Sequence, residues 1–272
     1  MARGDLIGQG RLGSVPDVAI DADTVALAVA ETWQHLLAAV PGGWGVRDGG
    51  AIAMVTGVPL AALNGVWPER ADPELRVVAA LLDRVAATGL PHCLQARPGT
   101  GTAIAELAAI RGMHRDQEDV PLMVMEDPAR LPQARHVAGL EVRQLHPDEA
   151  QLHASVAAAG FEAPEGLFLQ LVTPDVLRLP GVRCYVGEVS GHPVTTGIGV
   201  TLGAFVGIFK VATPPADRRR GYGAAVTAQA ASDGLAAGAA WSWLQSSASG
   251  YPVYERLGFR AVESWHCWLS PD

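Results

Sequence analysis

The run from Phe205 to Ala225 sets an apolar stretch, a proline-broken turn, three consecutive arginines and two glycines in that order. Each part has a use at an anion. A helix opening at Gly221–Gly223 presents unpaired backbone N–H groups and the positive end of its dipole. Glycine lets that backbone close on a ligand without side-chain obstruction. Arg218, Arg219 and Arg220 add charge and forked donors suited to phosphate oxygens. Strand, basic loop, glycine and helix together make a pyrophosphate cradle. It is not a P-loop, because no Gly-Lys-Ser/Thr is present.

Other glycine clusters lack this context. Gly8–Gly13 spells G-x-G-x-x-G, but only Asp5–Ile7 precedes it and Ser14–Pro16 follows, so it reads as part of a loose tail. Pro98–Gly101 reads as the opening of a helix. The histidines stand in no metal-ligand spacing, and Cys93, Cys184 and Cys267 are far apart with no C-x-x-C. No metal site and no disulfide scaffold is expected, and a reducing cytoplasm is the default compartment.

Positioning the cradle requires a strand before it and a helix after it. The pattern predicts strands at Arg183–Val189, Val194–Leu202 and Phe205–Ala212, and a helix from Gly223 to Ala237. A strand at Trp241–Gln245, a helix at Pro252–Leu257 and a last strand at Ala261–Leu269 follow. Upstream of these, Leu140–Leu145 reads as a strand, Pro147–Ala159 as a helix and Glu165–Leu179 as a shorter helical or irregular piece. The first half alternates in the same way, with helices at Thr24–Val40, Pro73–Thr88 and Thr102–Arg111, and strands at Trp44–Val46, Ala51–Val55, Pro59–Trp67, His92–Ala96 and Val120–Met125. Leu94-Gln95 before a helix ending Arg111-Gly112-Met113 matches Leu244-Gln245 before one ending Leu257-Gly258-Phe259, which suggests a duplicated unit.

Two motifs carry a family resemblance. Arg218-x-x-Gly221-x-Gly223 matches the [Gln/Arg]-x-x-Gly-x-[Gly/Ala] signature of the GCN5-related N-acetyltransferases (GNAT), and Leu244–Phe259, ending Tyr254-Glu255-Arg256-Leu257-Gly258-Phe259, resembles that family's second motif. The resemblance covers 138–272. It implies a mixed, mostly antiparallel sheet flanked by helices, with acetyl-CoA as co-substrate. The backbone of Val211, Ala212 and Thr213 would pair with the pantetheine arm. Arg218, Arg219, Arg220, Gly221, Tyr222, Gly223 and Ala224 would hold the pyrophosphate. Ser247 stands where many members have Asn, and Tyr254 matches a tyrosine that protonates the leaving thiolate. Direct transfer to an amine needs a proton acceptor. Many members carry a Glu on the central strand, but Phe205–Thr213 holds no carboxylate and Lys210 is its only charge. Glu188 and His192, flanking a hairpin turn, are the candidates, beside a chain of waters.

The first half lacks the cradle: Pro68–Asp72 has neither glycines nor an arginine run. It reads as a degenerate domain that walls the acceptor site, docks the second domain or forms a homodimer interface. The expected organisation is a tail at 1–16, a degenerate domain at 17–130, a linker at 131–137 and a catalytic domain at 138–272, two tandem α/β (α+β) units. Dividing 272 residues by the ~150 of a typical domain also gives about two. With 49% hydrophobic and 18% charged residues, the chain can bury a core. The net charge of −8 argues against nucleic acid or an anionic membrane as partner. The uncharged stretches 189–209 and 234–254 are broken by Gly, Pro, Ser and Thr, so no membrane span is expected. Residues 1–16 lack the apolar stretch of a signal peptide. A small-molecule amine is the expected acceptor. The alternatives are a non-catalytic acyl-CoA-binding regulator or another acyl-CoA enzyme on the same fold.

Overall fold

A computed structural model of the chain describes residues 19–131 and 136–271. The tail with its Gly8–Gly13 and linker residues 132–135 lie outside the described residues. Helix α1 (Ala22–Leu37) begins where the Asp21 carboxylate accepts the Thr24 N–H at 2.8 Å. Strands β1 (Trp44–Asp48) and β2 (Ala51–Val55) form a hairpin around Gly49 and Gly50, whose φ values of +54° and +79° suit the tight turn. Then follow β3 (Asn64–Pro68), α2 (Leu75–Ala86), β4 (Cys93–Ala96), α3 (Gly101–Ile110), β5 (His114–Arg115) and β6 (Val120–Met125).

The expected strand Pro59–Trp67 is shorter. Ala61–Leu63 is a 3₁₀ turn, and pairing starts only at Asn64. The cause is the Asn64 amide, which donates to Val58 O (2.8 Å) and Leu60 O (3.2 Å) and accepts the Thr56 N–H (3.0 Å). A side chain that satisfies so many loop groups holds 56–63 off the ladder.

The second half comprises β7 (Leu140–Gln144), α4 (Ala150–Phe161), α5 (Glu165–Leu171), α6 (Pro174–Leu177), β8 (Val182–Val189), β9 (His192–Leu202), β10 (Phe205–Ala212), α7 (Tyr222–Ala236), β11 (Trp241–Gln245), α8 (Tyr251–Leu257) and β12 (Arg260–Leu269). All strands join one sheet in the order β1-β2-β3-β4-β12-β6-β11-β10-β9-β8-β7, with β5 beside β12. Among the described residues only β3–β4 and β10–β11 pair in parallel, one such pair in each half.

The halves interlock at their last strands. The sequence assigns Val120–Met125 to the first half, but β6 runs antiparallel between β11 and the Arg260–Trp265 part of β12. In return, His266–Leu269 of β12 pairs with Cys93–Ala96 of β4. Each half thus completes the other's sheet. Arg97, 2% exposed, fastens this junction: its guanidinium bonds both Glu263 oxygens (2.8 and 3.0 Å) and Asp23 (2.6 Å). Helices α2 and α3 cover one face of the first half's strands, with Val78, Leu82 and Ile104 in that core. Helices α7 and α8 cover the corresponding face of the second half. The remaining core is shared: Trp33 and Leu36 of α1 pack with Ile198, Trp243 and Trp265.

Candidate active site

Strands β10 and β11 run in register from Phe205–Trp241 to Ile208–Leu244 and then part. The cause is in β10 itself. Its register with β9 shifts between Phe209 and Ala212, and Lys210 sits in this bulge with φ +51°. Beyond the bulge Ala212 pairs with Thr196 on the β9 side, while the edge toward β11 carries no ladder pair. Val211, Ala212 and Thr213 therefore offer a backbone edge to an extended ligand. Thr213 is steadied from behind: its hydroxyl meets that of Thr195 at 3.0 Å, and Thr195 also donates to Ala212 O at 2.9 Å.

The basic loop then turns into α7. Gly221 is its N-cap, left-handed at φ +85°, and no side chain caps the helix. The first helical hydrogen bond is Ala225 N–H to Gly221 O at 3.0 Å. The N–H groups of Tyr222, Gly223 and Ala224 consequently have no helical carbonyl to meet, and they form an anion-binding mouth. The three arginines divide. Arg218 turns back and donates to Gly160 O (2.7 Å), Thr213 O (3.1 Å) and Glu162 (3.0 Å), so it braces the loop against the end of α4. Arg220 lies 3.6 Å from Asp217. Arg219, exposed and at φ +65°, makes no ion pair among the described residues.

Tyr254 lies on α8, its ring edge-on to Phe259 with centroids 6.1 Å apart. Burial pushes its phenol up to about 12, so it holds its proton at neutral pH. Its hydroxyl has no partner among the described residues. Ser247 Oγ accepts the Gly250 N–H at 3.2 Å, and this hydroxyl shapes the turn into α8.

Neither candidate proton acceptor stands at the opening. Glu188 is held by Arg143 at 3.2 Å, on a strand that β9 separates from β10. His192, exposed on the β8–β9 hairpin, bonds Ser190 O at 3.1 Å through Nδ1. The structure also accounts for the bare central strand. A Cβ on Gly207 would lie 2.8 Å from the Phe209 ring and 2.9 Å from that of Trp243, so aromatic rings take the space a carboxylate would need. On β11, the buried Trp243 Nε1 and Gln245 Nε2 lack partners among the described residues.

Sequence reasoning missed His153. This α4 imidazole is fully buried, with Nδ1 2.7 Å from Thr196 Oγ1. Thr196 donates its own proton to Tyr185 O at 2.8 Å, so the ring carries its hydrogen on Nδ1 and leaves Nε2 as a bare acceptor. Nε2 has no partner among the described residues. Burial, and then the charge of Lys210, lower its pKa to about 4. An unfolded histidine titrates near 6.5. Between those values the unfolded chain binds a proton that the folded chain does not, so stability falls as pH drops from about 6.5 toward 4. The expected loss is on the order of 3 kcal/mol. Denaturant melts across that window should show a steeper slope for the native chain than for His153→Gln.

The first half has the same parallel pair but different chemistry. Where the loop after β10 is basic, the one after β3 carries Glu69, Asp72 and Glu74; Glu69 pairs with Arg47, and Asp72 with Arg70. Pro98–Thr100 forms a 3₁₀ turn that opens α3. Among the described residues no cluster of three or more metal-ligating side chains occurs, and no helix is long and apolar enough to cross a membrane.

No family model and no curated protein matches the sequence. Solved structures do match the fold. A GCN5-related N-acetyltransferase from Kribbella flavida superposes with a TM-score of 0.67 at 19% identity, over 93% of this chain and 97% of that one. A GCN5-related N-acetyltransferase from Sphaerobacter thermophilus gives 0.56 at 14% identity, over 82% and 81%. A tandem GNAT protein from the clavulanic acid biosynthesis pathway gives 0.53 at 15% identity, over 90% and 96%. With its two parallel pairs and interlocked sheet, the chain has the GCN5-related N-acetyltransferase fold in tandem.

Proposed function

We infer that the second half binds acetyl-CoA and transfers its acetyl group directly to the amine of a small-molecule acceptor. The observation that carries this reading is the pairing of an opened strand edge with an uncapped helix mouth. Val211–Thr213 would hold the pantetheine arm by backbone hydrogen bonds. The N–H groups of Tyr222, Gly223 and Ala224 would take the pyrophosphate, with charge from Arg219 and Arg220. Arg218 keeps the loop in shape. Bound there, acetyl-CoA supplies an activated acyl group, and Tyr254 supplies a proton to the departing sulfur. Water remains the acceptor for the amine's proton, since Glu188 is tied to Arg143 and His192 lies on the hairpin. The cytoplasm suits the buried, unpaired cysteines.

One reading competes. The aromatic wall over Gly207 leaves the central strand without a base, which favours a non-catalytic acyl-CoA-binding regulator. Release of CoA thiol on addition of amines, and not without them, supports transfer; tight binding with no release under any amine supports the regulator. Calorimetric titration should saturate near one acetyl-CoA per chain, because the acidic loop after β3 repels phosphate. A second site of comparable affinity would show that the first half binds as well.

A further inference from the structure

On the face of β10 away from α7, helices α1, α5 and α6 roof a small apolar pocket of about 20 Å³, with Trp33, Leu36, Leu171, Val176, Phe209 and Lys210 among its lining. Lys210 is the only charged side chain there, and it is the only lysine of the chain. It forms no hydrogen bond or ion pair among the described residues. Burial alone lowers its amine to about 8, with no carboxylate acting on it. The nearby ionisable group is His153, itself neutral. An ammonium without a counter-charge is a poor occupant of an apolar pocket. Losing the proton removes the conflict, and so does acylation of the nitrogen. Lys210 sits in the bulge, directly before the Val211–Thr213 backbone edge in the chain.

We propose that Lys210 is an acetyl acceptor within the chain itself: its ε-amine takes the acetyl group of acetyl-CoA held at the β10–β11 opening and becomes Nε-acetyl-lysine. This rests on the acetyl-CoA reading above. In the step, the neutral nitrogen forms a bond to the thioester carbonyl carbon and the C–S bond breaks. The electron pair leaves with the CoA sulfur, and the proton lost by nitrogen balances the one that sulfur gains. No oxidant, reductant or further reactant is needed. At pH 7 about a tenth of an amine titrating near 8 is neutral, against well under a hundredth for an ordinary lysine. The product is a neutral amide in place of the unpaired cation, so a single acylation changes the pocket from charged to uncharged.

The uniqueness of Lys210 makes the test direct. The full chain is incubated with acetyl-CoA at pH 8, and adducts are located by intact mass and peptide mapping. Binding is measured separately by calorimetry, and lysine-selective isotope labelling gives a single side-chain resonance to titrate. The expected result is one acetyl group on Lys210, forming at a rate that saturates with acetyl-CoA and is suppressed by excess CoA. The resonance should titrate near 8 and vanish on acylation. Lys210→Arg, or Lys210→Met should arginine not fit the pocket, should bind acetyl-CoA and take up no acetyl group. Binding without an adduct, an adduct elsewhere, or labelling that CoA does not suppress overturns self-acylation and leaves the acetyl-CoA reading standing. Absence of acetyl-CoA binding overturns both.

Discussion

Replacing Gly221 with aspartate is expected to abolish acetyl-CoA binding while the chain stays folded. Gly221 caps α7 at φ +85°, and a Cβ there would meet only Val137, at an ordinary 3.5 Å. Steric exclusion is therefore not the issue, and aspartate tolerates the left-handed region better than most residues. The effect is electrostatic. The new carboxylate stands at the mouth where the N–H groups of Tyr222, Gly223 and Ala224 await a pyrophosphate. Like charges about 4 Å apart at an effective dielectric near 20 repel by about 4 kcal/mol. That is roughly a thousandfold in Kd. Gly221→Ala separates the contributions, since it adds the Cβ and the left-handed strain without the charge, and it should weaken binding far less. Calorimetry reads the affinities, and circular dichroism checks the fold. Unchanged affinity in the aspartate variant would sink the cradle assignment.

The second large effect is expected at Tyr254. Tyr254→Phe keeps the ring against Phe259 and the packing of α8, and removes only the hydroxyl. With the phenol raised to about 12, the group is protonated throughout the working range and serves as a donor. A positioned general acid contributes roughly 10²–10⁴-fold. A CoA thiolate leaves tolerably well unprotonated, so the loss in kcat should lie near the lower end, with acetyl-CoA affinity little changed. Wild-type turnover of an amine by the phenylalanine variant would make Tyr254 a packing residue and leave cofactor binding untouched.

Much of the site was legible because its signals are local. Glycines at 221 and 223, the arginine run and the apolar strand before them are contiguous, and contiguity is what helix capping and strand propensity act on. The strand Trp241–Gln245 and the strand Val120–Met125 have the predicted bounds for the same reason. What local pattern does not encode is which strand lies beside which. The apolar run Val120–Met125, its last four residues all buried, is equally compatible with either half's sheet.

By itself, then, the sequence determined the two α/β halves, the arginine run and glycines of one loop against their lack in the other, and the helix mouth at Gly221, because each follows from residue types within a few positions of one another. Tertiary structure decided the rest. The exchange of β6 and β12 depends on ladder pairing between segments more than a hundred residues apart. The diversion of Arg218 to Gly160 and Glu162 depends on where α4 ends. The isolation of Lys210 depends on a bulge in β10 and on α1, a helix of the other half, closing over it. Such long-range contacts set whether an arginine binds a ligand or a loop, and the burial they create sets how readily a lysine gives up its proton.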